Sequence, residues 1–420
     1  MKKAIAGLCL VSLVLCLAVS GVKAAEKEIK IGVIYPLTGP AASTGQVLLE
    51  GVKLAVDIIN NKYNLNMPLA REEGLPRLGG AKIVIVSGDH QAKPDVGMAE
   101  AERLITQEKV VAIIGCYHSA VTATASQAAE RYSIPFINAA STSPTLTERG
   151  FQWFFRTTPS DQLFAENFFQ FLNDVKKKKH VETAPVALFN ENTLFGTDTT
   201  KFEEKFAKQY GYKVAGLVNY PAKSTQLTSE IQRLKGFNAK VVLQTSYVAD
   251  AILSVKTFKE LNFTPDAIIG NDAGHIDPEF VKSLGNDANY FLSREVWALD
   301  LGAKKAMLKT VADMFQKRTG KPMDGSSSRA FTAMIVLADA INRAGSTEPA
   351  KIRQALLETD LKADQLIMPW DGVKFDPKTH QNMLGKGIIV QVQGEKYYTV
   401  WPFDLATKDI VWPFPKWDKR

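Results

Sequence analysis

The residues of this chain best suited to chemistry are two loops of small and hydroxylated residues, each following a short apolar run. Val110-Val111-Ala112-Ile113-Ile114-Gly115 leads into Cys116-Tyr117-His118-Ser119, and Ile134-Pro135-Phe136-Ile137 leads into Asn138-Ala139-Ala140-Ser141-Thr142-Ser143-Pro144. Between them, Ala120 to Tyr132 is a helix-forming stretch. In an open parallel sheet, the carboxyl ends of strands and the N-termini of helices present free N–H groups to a crevice. Two such ends side by side make a wall suited to a small anion such as a carboxylate. Ser119 and Thr142 also read as ordinary helix caps, and one residue can serve both purposes. Cys116 has no evident partner base, so a packed small side chain is expected there rather than a nucleophile.

Established catalytic signatures are missing. The sequence has no Gly-x-x-x-x-Gly-Lys-Ser/Thr loop, no Gly-x-Ser-x-Gly elbow and no His-Glu-x-x-His helix. The five histidines, His90, His118, His180, His275 and His380, lack Cys or His companions at ligand spacing, so neither a metal site nor a cofactor is expected.

Apolar runs of strand length alternate with helical segments along the chain, the pattern of parallel sheets covered by helices. Strands are expected at Lys30–Tyr35 and Lys82–Ser87, and helices at Gly45–Ile59 and Pro94–Gln107, before the segment described first. The polar insert Asn60–Gly80 reads as a surface loop. A second alternation places strands at Pro185–Phe189, Tyr212–Asn219, Lys240–Gln244 and Ala267–Gly270. Helices at Asp161–Lys176, Gly196–Gln209, Ser224–Leu234 and Ala249–Leu261 separate them. The mostly helical segment Asp300–Glu358 has no strands of its own to cover, so it is expected to return to the first sheet. Crossings near Thr157, Arg294–Leu299 and Pro369–Val373 would then form a hinge, and a hinge between two sheets forms a cleft.

Met1-Lys2-Lys3, the apolar stretch Ala4–Val19 and Val22-Lys23-Ala24 have the order of a signal peptide cut after Ala24. The apolar stretch is shorter than the roughly 20 residues of a spanning helix. Removing 24 residues from 420 leaves a chain long enough for two domains, with 48 basic against 44 acidic residues once Lys2, Lys3 and Lys23 are gone. That balance is too diffuse to argue for nucleic acid, and Lys176–Lys179 reads as a solvated helix end. Cys9 and Cys16 leave with the signal, so the mature protein has no internal disulfide.

One family carries these residues together. Ile31-Gly32-Val33-Ile34-Tyr35-Pro36-Leu37-Thr38-Gly39-Pro40 with Gly45, Gly115 followed by His118-Ser119, and Ala140-Ser141-Thr142 with Pro144-x-Leu146-Thr147-x-x-Gly150 closely resemble the branched-chain amino-acid binding proteins. These are type I periplasmic receptors of ABC importers. Phe155-Arg156-Thr157, Leu194-Phe195-Gly196 and the region of Gly270 extend the resemblance over nearly the whole mature chain.

The resemblance implies an α/β fold of the type I periplasmic-binding-protein class: two Rossmann-like lobes with parallel-type sheets, joined by a three-crossing hinge. Lobe 1 would hold residues 25–157 and 298–369, and lobe 2 residues 158–297 and 370–420. It implies a non-enzymatic receptor, monomeric and periplasmic, that captures an amino acid and delivers it to a membrane permease. In that family the first lobe holds the ligand's carboxylate and ammonium, here through Ser119, the Ala140 carbonyl and Thr142, with Ser141 beside them. The second lobe would add Tyr247 and Asp272, the latter pairing with the ammonium. Phe195 would form an apolar wall and Thr44 would cover the ligand side chain, while Tyr117 and His118 flank Ser119. Asp272 stands where the longer Glu is usual, and the cysteine pair of some relatives is unmatched at Ala92 and His118. The ligand's side chain is therefore left open. A receptor for amides or aromatic acids that controls a signalling partner is the alternative, and an enzyme using Cys116 or Asp272 is a third reading.

Overall fold

The structure, a computed structural model, describes residues 28–420. The expected signal peptide, its cleavage after Ala24, and Cys9 and Cys16 lie outside the described residues. Among the described residues, no helix is long and apolar enough to cross a membrane.

The first sheet contains five strands: β1 (Glu28–Tyr35), β2 (Lys82–Asp89), β3 (Ala112–Gly115), β4 (Phe136–Asn138) and β5 (Phe154–Arg156). All neighbours pair in parallel, in the order 2-1-3-4-5. Helices α1 (Ala42–Asn60), α2 (Pro94–Thr106), α3 (Ser119–Arg131) and α4 (Thr145–Glu148) connect them. In this strand order the chain reverses direction between β1 and β3, and the crevice at such a switch point is where open α/β sheets bind ligands.

The second sheet repeats the plan. Its strands are β6 (Val186–Glu191), β7 (Val214–Tyr220), β8 (Val241–Thr245), β9 (Ala267–Gly270) and β10 (Leu292–Glu295), ordered 7-6-8-9-10. Helices α5 (Asp161–Lys179), α6 (Leu194–Gln209), α7 (Thr228–Gly236), α8 (Val248–Glu260) and α9 (Pro278–Leu284) accompany it. Helix α7 starts four residues later than expected, because the N–H of Lys223 donates to Asp250 at 2.9 Å and holds the preceding residues as a loop.

Three further helices, α10 (Ala306–Thr319), α11 (Gly325–Ala344) and α12 (Pro349–Leu357), return to the first lobe. Helix α11 is buried on nearly every side, as a helix apolar all round must be. It lies so close to α1 that a Cβ on Gly51 would stand 2.2 Å from the Ser327 carbonyl oxygen. The chain then forms a small hairpin, β11 (Asp360–Lys362) with β12 (Gly372–Lys374). It ends with β13 (Ile388–Gln393) and β14 (Lys396–Trp401), which add to the second sheet in antiparallel fashion beside β10. The sequence reading had no strands there.

Two expectations are corrected. The third crossing lies beyond Asn382 rather than at Pro369–Val373, so we place the lobe boundary there. The N–H of Arg156 donates to the His380 carbonyl at 3.0 Å, and the N–H of Asn382 to the Arg156 carbonyl at 2.8 Å, so residues 380–382 stay on the edge of β5. The insert Asn60–Gly80 is more than a surface loop. Met67, Ala70 and Leu75 are buried in the first lobe's core, each such apolar side chain being a source of favourable burial energy.

Glu203, on α6, is fully buried; Asn190 donates to its Oε2 at 2.7 Å and its other oxygen has no partner. Burial pushes its carboxyl up to about 8. The folded protein therefore keeps a proton that the unfolded chain releases near pH 4. Stability from this group is greatest at low pH and declines as pH rises toward 8, by at most about 1.4 kcal/mol per pH unit. Glu203→Gln is expected to flatten part of the decline in urea midpoints between pH 5 and 8. Midpoints that fall as steeply as in the wild type would exclude Glu203 as a carrier of the proton.

Candidate functional site

Both sheets point the carboxyl ends of their parallel strands into one narrow interlobe cavity, whose free volume of about 10 Å³ is far below the roughly 300–1,000 Å³ of sites for drug-sized ligands. From the first lobe, the loop after β3 supplies Tyr117 and Ser119, and the loop after β4 supplies Ala140, Ser141 and Thr142. From the second, Phe195 follows β6, Tyr247 follows β8, Asp272 and Ala273 follow β9, and Arg294 lies on β10 itself. The structure thus gathers eight of the ten residues named from the sequence.

Ser119 opens α3 and is buried, so its N–H belongs to the first helical turn, whose amides have no partner within the helix. The helix dipole adds a partial positive charge there. The Ser141 hydroxyl is occupied inside the lobe, 2.9 Å from the Tyr117 carbonyl and 2.6 Å from the Thr122 hydroxyl. The Thr142 hydroxyl donates to Asp161 Oδ2 at 2.8 Å. These two hydroxyls brace the wall, leaving backbone groups and Ser119 to face the cavity.

Aromatic rings close the opposite side. Tyr247 lies 5.6 Å from Tyr117, 5.4 Å from Phe195 and 4.5 Å from His118, centroid to centroid. Edge and offset arrangements of this kind are favourable beyond simple burial. His118 stands behind this wall, packed on His90 at 5.4 Å. Burial, with His90 beside it, holds its imidazole well below the usual histidine range, so it is neutral. Thr44 also lies outside the cavity lining. Cys116 is fully buried, and burial pushes its thiol up, consistent with packing and inconsistent with a reactive thiolate.

Asp272 has a different setting from the one expected. Its Oδ2 accepts from Arg294 Nη1 at 2.5 Å and from Arg329 Nη1 at 2.7 Å, and its Oδ1 from Arg329 Nη2 at 3.3 Å. Burial opposes its charge, yet the two arginines hold its carboxyl below the usual range. Arg329 comes from α11 of the first lobe and Asp272 from the second, so this is a buried ion pair across the cleft. The sequence reading missed both arginines. The available signal was a lone Arg at the start of the apolar stretch Ala330–Arg343, a position where a charge has to find a partner.

Two more polar pairs bridge the lobes. Ser43 donates to Asp277 at 2.9 Å, and Thr44 also donates to Asp277, the N-cap of α9. Ser143 donates to Asp198 on α6 at 2.5 Å. Thr44 therefore contacts the other lobe and is not part of the cavity lining. Replacing Ser43 with Ala and Thr44 with Val together removes both hydroxyl donors while leaving Asp277 bonded to the Glu279 N–H. The double variant is expected to bind its solute about 1 to 3 kcal/mol more weakly, as for hydrogen bonds to a charged group. Calorimetry with unchanged affinity would exclude this contact from the liganded state.

Two α/β lobes with a cavity between the ends of their parallel strands define a solute-receptor architecture. The sequence profile described as "Periplasmic binding protein" matches residues 28–396, and the chain belongs to that family. The Leu/Ile/Val-binding protein homolog 7 of Brucella suis biovar 1 is 29% identical over 411 residues, covering 96% of this chain and 99% of the relative. The leucine-binding protein LivK of Thermotoga maritima superposes with a TM-score of 0.76 at 21% identity, over 90% of this chain and 99% of its own. A solute-binding protein of an ABC transporter from R. palustris, in complex with 4-hydroxybenzoate, superposes with a TM-score of 0.74 at 20% identity, over 93% and 99%. At these identities the two structures support the fold alone.

Proposed function

We propose that this chain is the extracytoplasmic receptor of an ABC importer, exported through its N-terminal signal, that captures an amino acid in the interlobe cleft and hands it to a membrane permease. The observation that carries this reading is the cavity itself. The N-terminus of α3 at Ser119 and the backbone of Ala140–Thr142 face Tyr247 and Phe195 of the other lobe across the interlobe space. A carboxylate is held by the Ser119 hydroxyl and N–H with the Thr142 N–H, and the Ala140 carbonyl accepts from an ammonium. Closure over the solute excludes water, which strengthens each charge-assisted hydrogen bond. The Leu/Ile/Val-binding names of the relatives agree with this class of solute.

A second reading has its own observation. Asp272 is saturated by two arginines, which leaves no free carboxylate in the lining for an ammonium. That setting favours an acid without an amino group, the kind of solute bound by the R. palustris protein. A thermal-shift series of the mature protein with leucine, isoleucine, valine, benzoate and 4-hydroxybenzoate separates the two. A solute that binds only the folded state raises the melting temperature. Shifts with the amino acids support the first reading, shifts with the aromatic acids alone support the second, and none at all would sink both.

A further inference from the structure

One cationic edge beside this cavity has no hydrogen-bond partner. Arg294 is fully buried, and its guanidinium is fixed on three sides. Nε donates to Asn271 Oδ1 at 2.6 Å, Nη1 donates to Asp272 at 2.5 Å, and the Phe164 ring lies 3.7 Å from its central carbon. Asn271 is itself held, its Nδ2 donating to Asp161 at 3.2 Å and to Thr199 at 3.1 Å. Nη2 has no hydrogen-bond partner. The nearest carboxylate oxygen, Asp161 Oδ1, is 3.6 Å away, beyond hydrogen-bond length, and already accepts from Asn271. Arg329 by contrast spends Nη1 and Nη2 on Asp272 and Nε on the Gly325 carbonyl.

A buried donor pair left without an acceptor is costly to a protein. It occurs here in the residue that shares a cavity with the Ser119 wall, held rigid in a plane by its other contacts.

We propose that the free Nη2 edge of Arg294 is a ligand contact that, with Ser119 and the Thr142 backbone, receives the solute's carboxylate, making an ionised acid the required group on the solute. The assignment rests on the reading that the solute lies against Ser119 and Thr142, and it holds for amino acids and for acids without an amino group. The planar fork of arginine is suited to carboxylate in a way that a lysine ammonium is not. The fixed orientation of the guanidinium means that little is lost on binding to order it.

The experiment compares each acid with its neutral amide, leucine with leucinamide and benzoate with benzamide, by calorimetry on the mature protein. The wild type is expected to prefer the acid at least 30-fold in one of the pairs. Arg294→Gln leaves Asp272 chelated by Arg329, so the fold keeps its ion pair, and the preference is expected to fall below about 3-fold. Arg294→Lys keeps the charge without the fork and is expected to lie between. Urea midpoints within the wild-type range establish that the variants are folded. Retention of the full preference in folded Arg294→Gln overturns the assignment, as does a wild type that binds amide and acid equally; both leave the receptor reading standing. A wild type that binds none of these four, nor isoleucine, valine or 4-hydroxybenzoate, overturns both.

Discussion

Asp272→Ala is expected to weaken solute binding by about 2 to 5 kcal/mol, the range for removing one partner of a buried, hydrogen-bonded charge pair. The cause is closure. In the closed form Asp272 sits between Arg294 of its own lobe and Arg329 of the other, with all three side chains buried. Alanine leaves two guanidinium groups to be buried together without their shared counter-charge, whereas in an open form Arg329 can recover water. A buried pair is weak evidence for stability in itself, but breaking one is reliably costly. This origin distinguishes the role from an ammonium contact. The loss is expected to be similar for an amino acid and for an acid lacking the amino group, and combining Asp272→Asn with Arg329→Gln should recover part of it. Calorimetry on both solute classes decides the matter: a loss confined to amino acids would restore Asp272 as the ammonium's partner.

The second large effect concerns stability. Gly51 lies where α1 and α11 touch, and a methyl group there would stand 2.2 Å from the Ser327 carbonyl oxygen and 3.0 Å from its Cα. Backbone cannot move aside as a flexible side chain can, so the helices must separate. Gly51→Ala is expected to destabilise the protein by about 1 to 3 kcal/mol, the usual cost of overpacking a filled core, despite the better helix propensity of alanine. Gly51→Val should cost more. Urea unfolding measures this directly, and wild-type midpoints for both variants would show that the two helices are not held at this separation. Ser327 shares its helix with Arg329, so the same shift is expected to disturb the ion pair to Asp272.

Much of this architecture was legible in the sequence because it rests on local signals. Apolar runs punctuated by Gly, Pro and hydroxyl residues located eight of the ten parallel-region strands, all but β5 and β10, each of which ends in charged residues (Phe-Phe-Arg and Leu-Ser-Arg-Glu). The loops after β3 and β4 announced themselves by composition, and the family resemblance carried Phe195, Tyr247 and Asp272 to the same cavity. What was hidden depends on long-range pairing. Nothing near Asp272 in the chain indicates that Arg329, 57 residues away, completes its environment. Thr44 was placed over the ligand side chain by the family resemblance, and its contact with Asp277, 233 residues distant, could not be read from the chain. The place of the third crossing was obscured for the same reason, since residues 380–382 are held by β5 rather than by their own sequence. Strands β13 and β14 lay beyond the last expected helix, and their β-branched run Ile388-Ile389-Val390 was the signal that could have placed them.

The attachment of residues 380–382 to β5 also sets the mechanics of opening. The first and third crossings run together at that edge of the first sheet, whereas the latch formed by Ser43 and Thr44 follows β1, three strands away. At about 4.8 Å per strand, the latch sits on a lever arm of roughly 14 Å, so each 10° of rotation moves it by about 2.5 Å. The Thr142–Asp161 contact, close to the fulcrum, travels far less. By the same measure the Ser119 loop, two strands from that edge, moves about 1.7 Å in each 10° and the loop after β4 about 0.8 Å. An opening about this edge is expected to part Thr44 from Asp277 first and the Thr142–Asp161 contact last.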